Sequence, residues 1–452
     1  MPTSPPDLPG SKATDSPLDR ALSLMLTNER EAALRWSAAV VEFEDVPSAL
    51  ILTCRLLADF GRTAAAIEGF ELGLQRSIDS GNLPLAVAAA ADLFKLGINI
   101  DDHLDAIALA FCASSTRLAD AAPPPPPLPS FQKFQPLSSF LTGPALLSKA
   151  TEIIHEARSK VDGNDKESQF APLPLFSALN REGLRALIAA FEMITVPANK
   201  EVIVQGEEGA EAYIVARGEL EVRRKTEAME DEPPSVVTLA RLTNGALFGE
   251  MALLSRAPRA ASVVACRPSI LLVARRDALE VVADKRLEVG SELAAHCRRR
   301  MVANLVRTSP ILVAVNPTER PALVERFETK VFEKGDKLIE EGHDTSGLHL
   351  IASGEIAIIG HESGESFVLS TLGTGDVVGE VALVLRRKAN ADVVAVHPTV
   401  TLHLPREDFI AIVREHPAIL QTLYLLAVQR DEETSFVLNT STVSVADDYV
   451  LV

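Results

Sequence analysis

Cysteine is scarce in this chain. Its four residues, Cys54, Cys112, Cys266 and Cys297, form no Cys-x-x-Cys pair, and no histidine cluster accompanies them at metal-ligand spacing. A disulfide framework and a zinc site are therefore excluded as organising features, and buried thiols in a reducing, cytoplasmic setting are expected. Aromatic residues are also few, at 5%, with one tryptophan, Trp36, which reads as a core residue. Basic residues are outnumbered, 44 Lys and Arg against 62 Asp and Glu, for a net charge of −18. So acidic a chain lacks the field that nucleic acid or an anionic membrane surface requires. No run of about 20 apolar residues is present, so no transmembrane helix is predicted. The opening MPTSPPDLPGSKATDSP has neither a basic start nor an apolar stretch. It reads as a short disordered leader over 1–16 and not as a signal peptide. The GxSxG, HExxH and Walker patterns are missing, and His343, His349, His397 and His403 fall in strand or loop contexts without partners. A non-enzyme with no metal and no cofactor is expected.

What is present changes character along the chain. Residues 17–120 are rich in Ala and Leu at helical spacing, as in Leu50, Leu52, Leu56 and Leu57, or Ala66, Ile67, Phe70 and Leu74. Breaks at Glu44–Pro47, Gly61, Ser80–Pro84 and Gly97–Asp101 divide the region into helices, and the small Ala side chains let them approach closely. An all-α module of antiparallel helical hairpins is predicted. The segment FGRTAAAIEGFELGL (Phe60–Leu74) resembles the second half of a tetratricopeptide repeat; a plain helical bundle is the alternative. Either implies contact with a protein partner through this N-terminal module. Next, Ala121–Pro129 holds five consecutive prolines, which favour an extended polyproline II spacer. Residues 121–168 then read as a linker, with one helix near Leu141–Val161.

From about Gln169 short runs of Val, Ile and Leu alternate with glycines, as strands do, and this region contains itself twice. ANKEVIVQGEEGAEAYIVARGELEV (Ala198–Val222) aligns with KGDKLIEEGHDTSGLHLIASGEIAI (Lys334–Ile358), and LFGEMALLSRAPRAASVVA (Leu247–Ala265) with VVGEVALVLRRKANADVVA (Val377–Ala395). Gly206, Gly218 and Gly249 match Gly342, Gly354 and Gly379, each at a turn after a strand-like run. Asn199 replaces Gly335, and Asn is the next most tolerant residue of the left-handed region. The first copy carries about six extra residues, which fall in the acidic stretch Thr226–Pro234, read as a hairpin loop. Helices are predicted before each copy, near Arg181–Phe191 and Pro317–Phe327, and after it, over Arg276–Leu305 and Arg406–Val428.

The spaced glycines, the Gly-Glu-x-Ala turn and the flanking helices resemble the cyclic nucleotide-binding domain family. The resemblance implies a multidomain α+β protein: an all-α helical-hairpin module followed by two β-roll, jelly-roll-like domains with flanking helices, over 169–306 and 307–437, and a tail over 438–452. It also implies a site formed by Phe248, Gly249, Glu250, Met251, Ala252, Arg259, Ala260 and Ala261. Backbone N–H groups of the Gly249–Ala252 turn would face the phosphate, Glu250 would accept from the ribose 2′-hydroxyl, and Arg259 would pair with the exocyclic oxygens. Ala260 offers no hydroxyl to a guanine amino group, so cAMP is expected before cGMP. In the second copy Gly379, Glu380 and Ala382 keep the turn, but Ala389 stands opposite Arg259 and Asp392 opposite Ser262. A degenerate second site is expected. Arg386, Arg387 and Lys388 are near enough to supply a cation if that loop were shifted. His296 or a leucine on the following helix would cover the base.

The implied function is a cyclic nucleotide sensor whose occupancy changes inter-domain geometry and partner binding. Two alternatives stay open. One is a scaffold that binds no ligand. The other is a kinase regulatory-subunit-like inhibitor, although Ala157-Arg158-Ser159-Lys160 offers no paired arginines as a basic substrate-like segment. No nucleic acid and no membrane are expected as partners.

Overall fold

The computed structural model describes residues 16–44, 46–119, 134–160, 168–225, 235–253, 258–362 and 365–446. The predicted leader over 1–16 (all but Ser16), the proline run and the acidic hairpin loop 226–234 lie outside these residues.

Six helices open the chain: α1 (Pro17–Leu26), α2 (Arg30–Phe43), α3 (Pro47–Asp59), α4 (Thr63–Asp79), α5 (Leu83–Lys95) and α6 (Asp101–Phe111). Each packs on the next, and the predicted breaks fall between them. Pro stands in the first turn of α1, α3 and α5, where no amide partner is lost. Ser16 Oγ accepts from Asp19 N, and Asn82 Oδ1 from Leu85 N, as capping residues do. The linker helix α7 (Gly143–Ser159) folds back onto α2, α3 and α4, burying Ile153 and Ile154. Trp36 is half-buried against Phe134 and Arg20.

The extended spacer predicted for the proline run lies outside the described residues, but the segments flanking it are packed together. On either side of the proline run the chain closes on itself: Leu118 bridges Phe170, and the Phe170 ring lies 4.6 Å from that of Phe111. One continuous hydrophobic core runs from the module into the first barrel, joining Phe70 and Leu93 to Ile214, Ile270 and Leu272. A buried ion pair, Arg217 Nη2 to Asp19 at 2.7 Å, crosses the same boundary.

After α8 (Arg181–Ile188) comes an eight-stranded barrel: β1 (Glu192–Val196), β2 (Glu201–Ile203), β3 (Glu211–Arg217), β4 (Leu220–Lys225), β5 (Val236–Leu242), β6 (Leu247–Phe248), β7 (Ser262–Ala265) and β8 (Ser269–Arg275). Its sheets run β1-β8-β3-β6 and β2-β7-β4-β5, all antiparallel. Helices α9 (Arg276–Lys285) and α10 (Leu287–Thr308) follow, then the short α11 (Pro310–Val313) and α12 (Arg320–Val324). The second barrel holds β9 (Glu328–Phe332), β10 (Lys337–Ile339), β11 (Gly347–Ser353), β12 (Ile356–Glu362), β13 (Glu365–Leu372), β14 (Val377–Val378), α13 (Glu380–Val384), β15 (Asp392–Ala395) and β16 (Thr399–Pro405). Its sheets, β9-β16-β11-β14 and β10-β15-β12-β13, repeat the first order strand for strand. The repeat extends to single hydrogen bonds. Asn199 N donates to Ala265 O at 2.7 Å and Gly335 N to Ala395 O at 2.8 Å, with φ of +64° and +93°.

Helix α14 (Arg406–Glu415) and helix α15 (Pro417–Ala446) close the chain. α15 runs past Val428, where the predicted helix ends, and into the tail read over 438–452. No glycine or proline follows Pro417 before Ala446, so nothing in the sequence stops it.

The reading of His349 and His403 as lacking partners is also corrected. Their rings stand 4.5 Å apart in the second barrel, and His349 Nδ1 lies 3.0 Å from Thr401 Oγ1. Burial, with His403 and Lys330 adding to it, holds His349 down to about 3; burial likewise lowers His403, with Glu328 opposing. An unfolded histidine titrates near 6.5. As pH falls below that value the unfolded chain takes up protons that the folded pair refuses, so stability is full above pH about 6.5 and declines toward pH 3. We expect the second barrel to unfold at lower denaturant at pH 5 than at pH 7, and His349→Phe to flatten that dependence, both read by hydrogen exchange of residues 328–405.

Candidate functional site

Arg259 organises the first barrel. Its backbone is clamped to the β2–β3 loop, with Arg259 N donating to Glu207 O and Gly206 N to Arg259 O, both at 2.9 Å. Its guanidinium turns inward and is 9% exposed. Nη1 donates to Gly249 O at 2.9 Å and Nη2 to Glu211 O at 2.8 Å, while the Glu211 carboxylate stands 3.7 Å away. Two glycines make the room. A Cβ at Gly209 would overlap the guanidinium nitrogens, and one at Gly249 would come within 3.1 Å of Nη1. Gly249 also turns at φ +74°. Burial lowers the Arg259 pKa, with Glu211 opposing, and an arginine keeps its charge under such a shift. Of five N–H donors the two carbonyls take two, so the side chain is positioned with donors left over for an anion.

Phe248 ends β6, buried, and stacks on Tyr213 at 5.2 Å. Gly249 leads into a single 3-10 turn, Glu250–Leu253. Glu250 is buried and pairs with Arg300 Nε of α10 at 3.2 Å. Cys297 of the same helix, its thiol pushed up to about 12 by burial, donates to Glu250 O at 3.5 Å. Met251 is half-buried and packs against the hydrophobic cluster of the second domain, to which Met301 and Leu305 of α10 also belong. Ala252 lies in the turn, Ala260 is exposed and Ala261 half-buried beyond Arg259. The structure thus brings Phe248, Gly249, Glu250 and Arg259 close together. His296 is buried on α10, and burial holds it near 4, neutral at pH 7.

The second barrel repeats the backbone and changes the chemistry. Ala389 takes the clamped position of Arg259, with Ala389 N to His343 O and Gly342 N to Ala389 O, both 2.9 Å. Asp392 takes that of Ser262: Glu341 N donates to Asp392 Oδ1 at 2.8 Å where Gln205 N donates to Ser262 Oγ at 3.0 Å. Both carbonyls that hold Arg259 already have donors here. Gly347 O, equivalent to Glu211 O, accepts from Thr345 Oγ1 at 2.8 Å, and Thr345 occupies the position of Gly209. Gly379 O accepts from Leu383 N at 3.2 Å. Arg386, Arg387 and Lys388 are exposed, and Arg387 is tied to Asp431, so the shifted loop considered from sequence is not what forms. Glu380 and Ala382 are buried, and Glu380 pairs with Arg430 of α15 at 2.6 Å. Burial raises the Glu380 carboxyl, with Arg430 opposing.

Sequence reasoning missed Gly209, Glu211, Arg300, Thr345 and Arg430. Two signals were available. Arg300 and Arg430 each follow their glutamate by the same 50 positions in the two repeats, and the aligned segments set Gly209 against Thr345. No group of metal-ligating side chains occurs among the described residues, and no described helix is long and apolar enough to cross a membrane.

Comparison with known proteins adds the following. The family model described as the cyclic nucleotide-binding domain matches residues 193–286 and 329–416. The chain is similar to the cAMP-dependent protein kinase regulatory subunit of Yarrowia lipolytica, 32% identical over 209 residues, covering 46% of this chain and 50% of that protein. It is similar to the subunit of the same name from Hypocrea atroviridis, 30% identical over 293 residues, covering 64% and 59%. It therefore spans between half and three-fifths of these relatives. Among solved structures it is similar to the regulatory domain of Toxoplasma gondii PKA with cAMP, at 25% identity and TM-score 0.28, covering 57% of this chain and 92% of that one.

Truncating Arg259 leaves the Glu211 and Gly249 carbonyls short of a donor, so Arg259→Ala is expected to cost about 1–3 kcal/mol in denaturant unfolding of the first barrel. Gly209→Ala is expected to lower the midpoint as well, because the methyl displaces the guanidinium, whereas Ala260→Gly, at an exposed position, should leave it within about 0.5 kcal/mol.

Proposed function

From the premise that the chain carries two tandem cyclic nucleotide-binding domains, we propose that it is a cyclic nucleotide sensor whose working site is the first barrel, with cAMP as ligand. The observation that carries this reading is the inward guanidinium of Arg259, fixed by two carbonyls with donors to spare. In this reading Arg259 meets the phosphate together with the amides of the Gly249–Ala252 turn. Glu250 accepts from the ribose 2′-hydroxyl, and Ala260 offers nothing to a guanine amino group. The site acts in the cytoplasm, uses no cofactor and performs no reaction.

The route outward starts at Glu250, which is already shared with Arg300 and Cys297 of α10. A hydroxyl donated to Glu250 changes that sharing, and Met251 moves with the turn. Met251 rests on the second domain's core, so a change at the phosphate site alters the seat of that domain. The helical module is fused to the first barrel's core and follows the barrel as one body.

A second reading makes the partner a protein kinase, because the two similar fungal proteins are named as kinase regulatory subunits. Arg158 offers it no substrate-like segment: it lies in α7 and faces Glu68 and Glu71 at 3.7 and 3.8 Å. Inhibition of a cAMP-dependent kinase catalytic subunit by the full chain, relieved by cAMP, would support this reading; no inhibition would remove it.

Calorimetric titration of the full chain is expected to show about one equivalent of cAMP bound. Arg259→Ala should weaken it by roughly 10- to 100-fold, the loss of one charge-assisted contact, and Ala260→Thr should improve cGMP relative to cAMP. Absence of binding by the folded chain would leave the scaffold reading in its place. Met251→Ala should keep the affinity but reduce the cAMP-dependent change in hydrogen exchange over residues 301–315.

A further inference from the structure

Helices α13, α14 and α15 of the second domain border an open groove of about 600 Å³, far more than the roughly 30 Å³ share of one water. Its lining shares no residue with the pocket around Glu380. Ile410, Leu420 and Tyr424 lie along it, 43%, 40% and 53% exposed. Its charged residues are Arg386 and Arg414, both exposed, and no acidic residue lines it. Among the described residues neither arginine has an ion-pair partner.

The first repeat shows that the fold does not require this face to be apolar. At the positions of Ile410, Arg414, Leu420 and Tyr424 it carries Glu280, Asp284, Gly290 and Ala294. Small residues there bring α9 and α10 together: a Cβ at Gly290 would stand 3.2 Å from that of Ala283. In the second repeat Val413 and Leu420 replace that pair. Their bulk keeps α14 and α15 from closing to the same distance, and the groove opens between them. One frame thus carries a closed, acidic face in the first copy and an open, apolar, basic face in the second. Clustered apolar side chains left in water mark an interaction site, and unpaired arginines beside them favour an acidic occupant.

The last residues of the sequence are both acidic and apolar: Asp447-Asp448-Tyr449-Val450-Leu451-Val452. They lie outside the described residues. Their own groove is out of reach. α15 stays helical from Tyr424 to Ala446, about 33 Å of helix, whereas the residues after Ala446 extend at most about 22 Å. A second copy meets no such limit. Two 30-residue α15 helices set side by side and antiparallel bring the end of each beside Pro417 of the other, in a closed two-fold arrangement.

We propose that the groove between α13, α14 and α15 binds the segment Asp447–Val452 of a second copy of this chain, so that two copies exchange tails. Arg386 and Arg414 meet the two aspartates, and Ile410, Leu420 and Tyr424 cover the apolar residues that follow.

The test is sedimentation velocity of the full chain from about 1 to 100 µM, where a dimer is expected. The double variant Arg386→Glu, Arg414→Glu sets like charges against the tail and should weaken the dimer roughly tenfold or more. Asp447→Lys, Asp448→Lys should do the same from the other side, and Leu420→Gly, Tyr424→Ala by removing the apolar anchors, with circular dichroism confirming that each variant is folded. An equimolar mixture of the two charge variants pairs lysine tails with glutamate grooves and aspartate tails with arginine grooves, so the dimer is expected to return. That rescue separates tail exchange from a tail bound to its own chain, which a second copy cannot restore. A full chain that stays monomeric over the whole range, a dimer indifferent to either pair of charge substitutions, or charge variants that stay monomeric when mixed would overturn the proposal.

Discussion

The guanidinium of Arg259, seated between the carbonyls of Glu211 and Gly249, is the contact around which the first barrel is arranged. It dictates the bare backbone at Gly209 and the left-handed turn at Gly249. It also holds the β2–β3 loop and the turn after Gly249 in one geometry. The second barrel shows the same backbone built without that contact. The clamped backbone survives at Ala389, a threonine fills the vacated space, and an internal donor is found for each carbonyl. Buried polar groups must be satisfied, so the loss of one arginine is accompanied by a set of local replacements and not by an empty hole.

The two barrels are coupled differently to their neighbours. Toward the N-terminus, the helical module and the first barrel share one hydrophobic core and a buried Asp19–Arg217 pair. Toward the C-terminus, the link runs through the polar contacts of Glu250 with α10 and through Met251 on the second domain's core. A continuous apolar core transmits position rigidly, because its packing has little slack. In the proposed mechanism the shared carboxylate exchanges partners, which places the adjustable joint between the barrels. The Glu380–Arg430 pair repeats the joint at the end of the chain, where α15 receives it.

Much of this was legible in the sequence. The repeated glycines predicted matching turns in two copies, because a turn with positive φ admits few residues, Asn199 for Gly335 followed the same rule, and the family resemblance of the repeat implied both barrels. Glu250 and Arg259 were recognisable because their spacing from those glycines is preserved. Partners that act through backbone atoms left no such mark. Glu211 matters through its carbonyl, which any residue supplies, and Thr345 matters through a hydroxyl that means something only once Arg259 is missing. Contacts across domains, such as Phe111 with Phe170 and Met251 with the second domain's hydrophobic cluster, depend on where chain segments meet, which periodicity does not encode. The histidine pair was hidden because His349 and His403 are more than 50 positions apart and meet only through β11–β16 pairing.

The division of labour between the barrels is tested most directly by rebuilding the arginine seat in the second one. The Thr345→Gly, Ala389→Arg double variant of the full chain would be titrated with cAMP beside each single variant. Stoichiometry is expected to rise from about one equivalent to about two in the double variant only, because the guanidinium needs both its own side chain and the space that Thr345 occupies. Two equivalents already in the wild-type chain, or no gain in the folded double variant, would contradict the assignment of phosphate recognition to Arg259 and its two carbonyls.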